Sequence, residues 1–538
     1  MNNDLILDIQ DKPKRIRDWL LFAIQHVLAM LVACITVPLL TGLPIGPTLI
    51  AAGIGTLIYI FTTKKKSPVF LSSSFAYLAP MGTALTLGVT AGVTTVNYWA
   101  LILGMAMVGA VYVIIALIIK KVGTNWLNKL LPPVVIGPII MVIGLGLAGS
   151  AINNVMGGTA AIANFAGDKL PWQYTIVSIA VAVFACFLTA ICATSKRKNI
   201  TLIPFVIGMV GTYILAVIVS LIGNAANLDY LMIIDFSIFN KDWSQLSSWI
   251  TTDFVFVSAF NQTAEFNWGT VGQVALLFIP VSLVTVCEHI GDHKNLGNII
   301  GRDLLDKEPG LTRTLIGDGV ATAVSGALCG AANTTYGENV AVVGVSKNAS
   351  VPVIILASIF SIVLGFFGPL TTVLQTVPSC ITGGVSLILY GFIASSGVKM
   401  LVKEQVDFTK TKNIIVASII LVIGIGGLVL GFGGVKGANV ITISGTAVAM
   451  VFGIVANLVL KDRSAEWNLT KQKVEWYFLD LLSKNFWDLF YNLKILIFVE
   501  FSPSKKQKKA ILMKNSTNST NCLVNSHACL FVFCLNCG

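Results

Sequence analysis

The chain has 538 residues, of which 55% are hydrophobic and only 11% are charged, and its formal net charge is +11 at pH 7. Charged residues make up about 25% of an ordinary soluble domain, so this composition excludes a typical soluble enzyme and indicates a membrane protein. No motif interleaves basic and aromatic residues as RNA-binding proteins do, so the basic excess does not predict a nucleic-acid partner.

Apolar segments of a length that suits membrane crossing recur along the chain. A helix needs about 20 apolar residues to cross the hydrocarbon core of a bilayer. In chain order, about fourteen spans are predicted at 18–41, 44–62, 68–89, 99–119, 133–152, 173–194, 200–223, 271–290, 310–329, 335–346, 350–368, 378–398, 413–432 and 438–460. The third and tenth spans are the poorest, because each is short or polar at one end.

The basic residues predict the orientation of these spans. With residues 1–17 placed in the cytoplasm, the cytoplasmic loops hold eighteen lysines and arginines, whereas the outer loops hold only Lys169, Lys241 and Lys436. Cytoplasmic loops of membrane proteins are enriched in Lys and Arg, so this distribution supports both the span count and a cytoplasmic N-terminus. No cleavable signal peptide is evident, and the first span is expected to be an uncleaved anchor.

The character of the chain changes after residue 461. Residues 462–538 are predicted as a cytoplasmic tail, with an aromatic, mildly amphipathic part suited to the membrane interface and a polar part of disordered composition. The tail ends in a C-x-x-C, which alone is a weak metal motif, so no metal site is predicted there. The sequence assigns no role to this tail.

The third and tenth spans share an unusual pattern. The third opens with "SPVFLSSSFAYLAP" (67–80) and the tenth with "CGAANTTYGENVAVV" (329–343). In each, small polar residues precede a short apolar half-helix, and the two spans hold corresponding positions in two halves of seven spans. Interrupted helices at such positions indicate an inverted-repeat secondary transporter whose substrate lies near the bilayer midplane. The alternative is that the span count has placed a loop inside the third span.

Three carboxylates lie in or beside predicted spans, where ionisable residues are costly and usually functional. Glu288 is in the eighth span, Asp292 follows four residues later on the same helix face, and Glu338 is in the tenth span. Carboxylates from different helices can accept hydrogen bonds from the ring N–H groups of an uncharged ligand, and burial also makes a carboxylate a proton carrier. The alternative for Glu288 is a position at the cytoplasmic end of the helix, either solvated or paired with Lys294.

His289 and His293 are also four residues apart and share a helix face. They could form a metal pair, but no H-E-x-x-H motif and no third ligand accompany them. Interfacial or hydrogen-bonding histidines are therefore the preferred interpretation. Neither a metal nor a cofactor is predicted.

Four motifs in this order resemble the nucleobase–ascorbate transporter family, also called nucleobase/cation symporter-2. They are "QHVLAM" (25–30), "SSSFAYLAP" (72–80), "CEHIGDHKNLG" (287–297) and "IGDGVATAVSGALCGAANTTYGENVAVVGVSKNAS" (316–350). The resemblance covers about residues 15–461 and omits the tail.

The resemblance implies an all-α polytopic membrane protein with fourteen transmembrane segments in two inverted repeats of seven. Within residues 18–461, spans 1–4 and 8–11 would form a core domain and spans 5–7 and 12–14 a gate domain. Short antiparallel strands in spans 3 and 10 would meet at the binding site. The resemblance also implies a homodimer in the cytoplasmic membrane, in contact through the gate helices.

The same resemblance implies a set of site residues. Those implied to contact the substrate are Glu288, Glu338, Phe75, Ala33, Tyr336 and Gly337. Those implied in proton coupling are Glu288, Asp292 and Glu338. Those implied to maintain the geometry of the site are Gln25, His26 and Asn339.

The resemblance is strongest to members that carry uracil, and so it implies proton-coupled uptake of uracil rather than an enzymatic reaction. Transport of xanthine or another purine stays open. An anion transporter of the same fold is disfavoured, because carboxylates would stand beside the ligand. An intramembrane enzyme is a distant alternative, since Glu288 with the two neighbouring histidines lacks partner groups. A purely structural membrane protein would leave the carboxylates without a role.

Two residues depart from the family's pattern. Some relatives have histidine where this chain has Asp292, and an exposed aspartate holds a proton only at much lower pH, so the route of the coupled proton stays open. Ala341 replaces the usual glycine of the tenth-span signature. This replacement leaves the choice between uracil and purines undecided by the motif.

Overall fold

The structure is a computed structural model that describes residues 5–87, 96–158, 171–201, 203–240, 243–244, 246–261, 268–428, 430–432 and 441–460. Met1–Lys461 forms one compact unit. The predicted tail, residues 462–538, lies outside the described residues, as do residues 1–4 of the predicted N-terminal segment and the ends 88–89 and 438–440 of two predicted spans.

In the first half of the chain, the described residues are mainly helical and include a short strand. Its helices are α1 (Ile16–Thr41), α2 (Ile45–Thr62), α3 (Leu78–Leu85), α4 (Tyr98–Val122), α5 (Asn125–Leu130), α6 (Pro133–Gly146), α7 (Ala148–Val155), α8 (Trp172–Ala193), α9 (Lys198–Thr201) and α10 (Pro204–Ala226). Strand β1 (Leu71–Ser73) and a 3₁₀ turn (Phe75–Tyr77) precede α3.

The described residues of the second half are also mainly helical. Its helices are α11 (Leu246–Trp249), α12 (Val255–Asn261), α13 (Trp268–Ile300), α14 (Leu311–Cys329), α15 (Gly337–Ser346), α16 (Val351–Phe366), α17 (Gly368–Gln375), α18 (Ser379–Lys403), α19 (Thr411–Ile425) and α20 (Gly445–Val459). Strand β2 (Asn333–Thr335) precedes α15, and strands β3 (Leu430–Phe432) and β4 (Ile441–Ile443) lie between α19 and α20. Each of the fourteen predicted spans contains a helix.

Among the described residues, eight helical segments are long and apolar enough to cross a membrane. They are Ile16–Thr41, Ile45–Thr62, Tyr98–Val122, Pro133–Val155, Trp172–Ala193, Pro204–Ala226, Thr270–Ile300 and Ser379–Lys403. Shorter apolar helices are Phe75–Leu85, Val351–Phe366, Thr411–Ile425 and Gly445–Val459. The chain is therefore a mostly helical, multi-pass membrane protein, and the full number of fourteen crossings stays a prediction.

The outer faces of several helices are apolar. On α8, the side chains of Phe187 and Ile191 are 64% and 65% exposed, and on α10 that of Ile214 is 56% exposed. Monomeric soluble proteins rarely expose large continuous apolar surfaces. These faces suit contact with lipid chains instead, which agrees with the apolar composition.

The helices pack in two groups. One group contains α1, α2, α4, α14 and α16, and the other contains α6, α7, α8, α10, α18, α19 and α20. Close approach within the first group depends on small residues, as is common in membranes. A Cβ atom added to Gly319 of α14 would lie 2.8 Å from the carbonyl oxygen of Gly109 on α4 and 2.6 Å from Cβ of Tyr112.

Strands β1 and β2 pair in antiparallel register, with Leu71 opposite Thr335 and Ser73 opposite Asn333. The pairing agrees with the short strands that the resemblance implies for spans 3 and 10. Side chains also satisfy backbone groups here: Thr322 Oγ1 donates to the Asn333 carbonyl, and the Leu71 N–H donates to Thr56 Oγ1. Because a bilayer offers no water to unpaired backbone, such bonds permit extended chain inside a membrane protein.

Two predicted spans have different bounds in the structure. Helix α13 continues ten residues past the predicted end at 290, because polar residues of this extension, such as His293, are buried in protein rather than exposed to lipid. The predicted span 413–432 is helical only to Ile425. Gly427, which follows, has a φ of +68°, a left-handed conformation that suits glycine and ends the helix.

Candidate functional site

A cavity of about 240 Å³ lies where α13 and α15 face α6 and α18. One wall comes from the end of β1, from β2 and from α13 and α15, and the other comes from α6 and α18. By the same kind of measure, one water needs only about 10–15 Å³. The cavity can therefore hold a small organic molecule.

The three carboxylates singled out in the sequence meet in this cavity. Glu288 and Asp292 lie one turn apart on α13, and Glu338 lies in the first turn of α15. All three are half-buried, and Glu288 is within electrostatic range of the other two. The alternative pairing of Glu288 with Lys294 is not present, because Lys294 Nζ lies 3.7 Å from Glu404 Oε2.

The junction between β2 and α15 lines one side of the cavity. Tyr336 precedes α15 in extended conformation, and its side chain makes no capping hydrogen bond to the first turn. The first N–H groups of a helix have no partner within the helix and attract electronegative atoms. Gly337 follows, and a Cβ atom there would lie 3.4 Å from Asp292 Oδ1. Glycine thus keeps this carboxylate accessible.

Aromatic rings complete the lining. Phe75, in the 3₁₀ turn after β1, is only 4% exposed and lines the cavity together with Tyr336. The Phe75 ring meets the Tyr390 ring of α18 edge-to-face, with centroids 5.4 Å apart. A flat apolar surface therefore stands near the carboxylates, as a planar ligand would need.

The residues implied to maintain geometry lie outside the cavity lining. His26 Nδ1 on α1 is 3.1 Å from Asn339 Oδ1, so this pair ties α1 to α15 one residue beyond Glu338. Gln25 is half-buried, and its Oε1 has no hydrogen-bond partner among the described residues.

The structure does not bring Ala33 to the cavity. Ala33 is fully buried and is not among the lining residues of the described chain. Its neighbour Cys34 places Sγ 3.4 Å from Ser72 Oγ, so this level of α1 packs on β1. A direct contact of Ala33 with a ligand in this cavity is therefore absent from this conformation.

The two histidines of α13 are engaged in hydrogen bonds. His289 Nδ1 lies 2.6 Å from Asp318 Oδ2, and His293 Nε2 lies 2.6 Å from Tyr59 Oη. Their rings stack with centroids 4.0 Å apart. Within the described part of the chain, no group of three or more His, Cys, Asp or Glu side chains could hold a metal ion.

Sequence reasoning missed Asp318. This residue is the one acidic side chain of α14 and is fully buried. An aspartate in the middle of a membrane-embedded helix is itself a signal of function, because an unpaired charge there is costly. That signal was present in the motif quoted above.

Comparison with known proteins identifies close relatives. A family model described as "Permease family" matches residues 17–431. The "Uracil permease" of Bacillus caldolyticus is 38% identical over 463 residues, which cover 86% of this chain and 96% of the relative. The "Uracil permease" of Bacillus subtilis (strain 168) is 36% identical over 464 residues, with the same two coverages of 86% and 96%.

A solved structure has a similar fold. The murine anion transporter Solute Carrier 26 family member A9, in its inward-facing state, matches with a TM-score of 0.54 over 84% of this chain and 69% of its own. Sequence identity is only 13%, so this likeness concerns the fold alone. The family match and the close relatives together lead to one conclusion: the chain belongs to this permease family, the nucleobase–ascorbate transporters that its motifs resemble, and is a membrane transporter rather than an enzyme.

Proposed function

We propose that this chain is a secondary transporter that carries uracil, together with protons, across the cytoplasmic membrane into the cell. The observation that carries the proposal is the meeting of Glu288, Asp292 and Glu338 in one cavity that also contains the Phe75 ring. The relatives reported above are named for uracil, which supports the choice of base.

The lining suits the chemistry of a pyrimidine base. Uracil is flat and uncharged, and its edge alternates N–H donors with carbonyl acceptors. Glu338 and Glu288 would accept hydrogen bonds from the ring N–H groups, which are stronger when the acceptor is a carboxylate. The uncapped N-terminus of α15 would donate to a carbonyl oxygen. Phe75 would pack on the ring face.

Transport would follow from the position of the cavity between α13 and α15 on one side and α6 and α18 on the other. Binding of a proton from outside by the set of Glu288, Asp292 and Glu338 would accompany uracil binding, and the set would keep an ionised carboxylate for a ring N–H group. Spans 1–4 and 8–11, as a core, would then move against spans 5–7 and 12–14, as a gate, and release base and proton inside. The contact of Lys294 on α13 with Glu404, the residue after α18, would break when the core and the gate separate.

The same proposal includes the number of spans, the membrane orientation and the oligomeric state of the chain. It comprises fourteen spans in two inverted repeats, residues 1–17 and the tail 462–538 in the cytoplasm, and a homodimer formed through the gate helices. The basic residues of the predicted cytoplasmic loops support this orientation.

Uptake into sealed vesicles tests the proposal. Purified protein in proteoliposomes, given an inward proton gradient, should accumulate labelled uracil, and unlabelled xanthine and uric acid should not compete. Collapsing the gradient with an ionophore should abolish accumulation. Uptake of a purine in place of uracil would contradict the substrate, and accumulation without a gradient would contradict the coupling.

A purine is the second candidate substrate, and Ala341, which replaces a family glycine and lines the cavity, bears on this choice. The methyl group of Ala341 occupies space that a larger bicyclic base would need, which favours uracil. We expect Ala341→Gly to increase competition by xanthine against uracil uptake about tenfold, a change equal to about 1.4 kcal/mol of binding.

Ala341→Ser is the matched control for this variant, because it keeps a Cβ atom at the same place. It should retain the parental preference. Equal xanthine competition in the glycine and serine variants would show that position 341 does not set the substrate size.

A further inference from the structure

A second set of ionisable side chains lies behind the cavity, and the proposed transport cycle does not use it. His289 on α13 and Asp318 on α14 are fully buried, and their side chains meet at 2.6 Å between Nδ1 and Oδ2. The other ring nitrogen of His289, Nε2, lies 3.0 Å from Thr314 Oγ1. Neither His289 nor Asp318 lines the cavity in the described chain.

The hydroxyl of Thr314 has two hydrogen-bond choices. Its Oγ1 lies 3.1 Å from the carbonyl oxygen of Leu311 and 3.0 Å from Nε2 of His289, and a threonine has only one hydrogen to donate. If the hydroxyl donates to Nε2, His289 is neutral and donates from Nδ1 to an ionised Asp318. If it donates to Leu311, Nε2 must carry a hydrogen and donate it to Thr314.

The two choices differ by one proton. In the first, Asp318 and His289 together have a charge of −1. A proton added at Nε2 brings this charge to zero. The Thr314 hydroxyl then rotates to donate to the Leu311 carbonyl and accepts a hydrogen bond from Nε2, so His289 and Thr314 stay hydrogen-bonded. A buried carboxylate is costly when its charge is uncompensated, and a proton added at Nε2 removes the net charge of the pair.

The neighbouring groups connect this pair to the cavity. Glu288 precedes His289 on α13 and lies within electrostatic range of Asp318. The other titratable groups near the pair are Asp292 and His293 on α13, Tyr59 on α2, Tyr77 in the 3₁₀ turn and Tyr112 on α4, and Glu338 on α15 lies near Glu288. The residues of α3, α6, α20 and β4, which also pack on α13, include no titratable side chain.

We propose that Asp318 and His289 form a second proton-binding site, which sets the pH at which Glu288 releases the transported proton. With the pair at −1, like-charge repulsion makes Glu288 hold its proton more tightly. With the pair at zero, Glu288 releases its proton more easily. Both residues act through Glu288 and do not touch the substrate. This inference rests on the proposed function.

Two variants should shift the pH profile of uracil uptake in opposite directions. Asp318→Asn removes the negative charge of the pair, so Glu288 should hold its proton less tightly. The pH profile of uptake should therefore shift by about one unit to lower pH, a tenfold change in proton concentration. Thr314→Val removes the hydroxyl that Nε2 contacts in both states. The loss costs more when Nε2–H belongs to a charged ring than when Nε2 is a neutral acceptor, so valine favours the −1 state and uptake should persist to more alkaline pH. Thr314→Ser keeps the hydroxyl and should have the parental profile.

A purely structural role would lower uptake at every pH without such shifts. Unchanged profiles in both variants, or shifts in the same direction, would overturn the inference. If Asp318→Asn does not fold, the comparison of valine with serine at position 314 still decides the question, because both side chains are close in size to threonine.

Nitrogen NMR of the histidine rings gives a readout that does not depend on uracil. The chain has four histidines, so a ¹⁵N-labelled ring can be assigned to His289 by its loss in His289→Gln. Nε2 of His289 should change from unprotonated to protonated as the medium is acidified. In Asp318→Asn, this change should occur at a lower pH than in the parental protein. A ring that keeps one state while the protein stays folded would overturn the inference, whereas absent uracil uptake with a titrating ring would contradict only the proposed function.

Discussion

Replacement of Glu338 by glutamine should reduce uracil uptake by roughly a hundredfold or more at low uracil concentration while the protein still reaches the membrane. Glutamine keeps the shape of the side chain but removes the negative charge and can place an N–H group against a ring N–H group. A hydrogen bond to a charged group contributes about 1.5–3 kcal/mol, and an unpaired buried donor costs about 1–3 kcal/mol more. Each 1.4 kcal/mol corresponds to about tenfold in binding.

Initial rates of labelled uracil uptake, divided by the amount of protein in the membrane, provide the measurement. Glu308→Gln is the matched control: Glu308 lies on the loop after α13, its side chain is 60% exposed, and it contacts Lys66 and Arg313. Exposed ion pairs contribute little, so this control should transport normally. Normal uptake by Glu338→Gln would remove Glu338 from the substrate site.

Valine in place of Gly319 should destabilise the whole membrane unit by about 1–3 kcal/mol or more, the usual cost of overpacking. The added Cβ would lie 2.6 Å from Cβ of Tyr112 and 2.8 Å from the backbone oxygen of Gly109. Backbone atoms of a packed helix cannot move aside as a flexible side chain can, so α4 and α14 must separate. Detergent-solubilised protein should therefore unfold at a lower temperature, as measured by intrinsic tryptophan fluorescence.

Gly391→Val in α18 makes the same change where there is room. A Cβ atom at Gly391 meets no heavy atom within 4 Å, so this variant should unfold at nearly the parental temperature. Equal unfolding temperatures for the two variants would show that the α4–α14 contact does not depend on the absence of a side chain at position 319.

The sequence predicted the membrane helices well where the apolar run was long. Helix α4 spans Tyr98–Val122 against a prediction of 99–119, and α8 spans Trp172–Ala193 against 173–194. It failed where polar residues are buried inside the protein. The end of α13 is one example, because hydropathy cannot distinguish a polar residue that faces a protein cavity from one that faces water.

The sequence predicted the candidate site only in part, because it shows which residues share one helix face but not which helices meet. The four-residue spacing of Glu288 and Asp292 fixes them on one helix face, and the small polar stretch before Glu338 indicates an interrupted span. The contact between His289 and Asp318 joins α13 to α14. Periodicity carries no information on which side chains of two helices face each other, so this contact could be found only in the structure.

The antiparallel pairing of β1 with β2 has a consequence for biogenesis. Leu71 is synthesised long before Thr335, its partner across the strands. Until the second half of the chain is made, the peptide groups of β1 have no strand partner, and a bilayer supplies no water to replace it. Stable insertion of the third span must therefore wait for the tenth, so a truncated chain that ends before β2 should be recognised and degraded by membrane quality control.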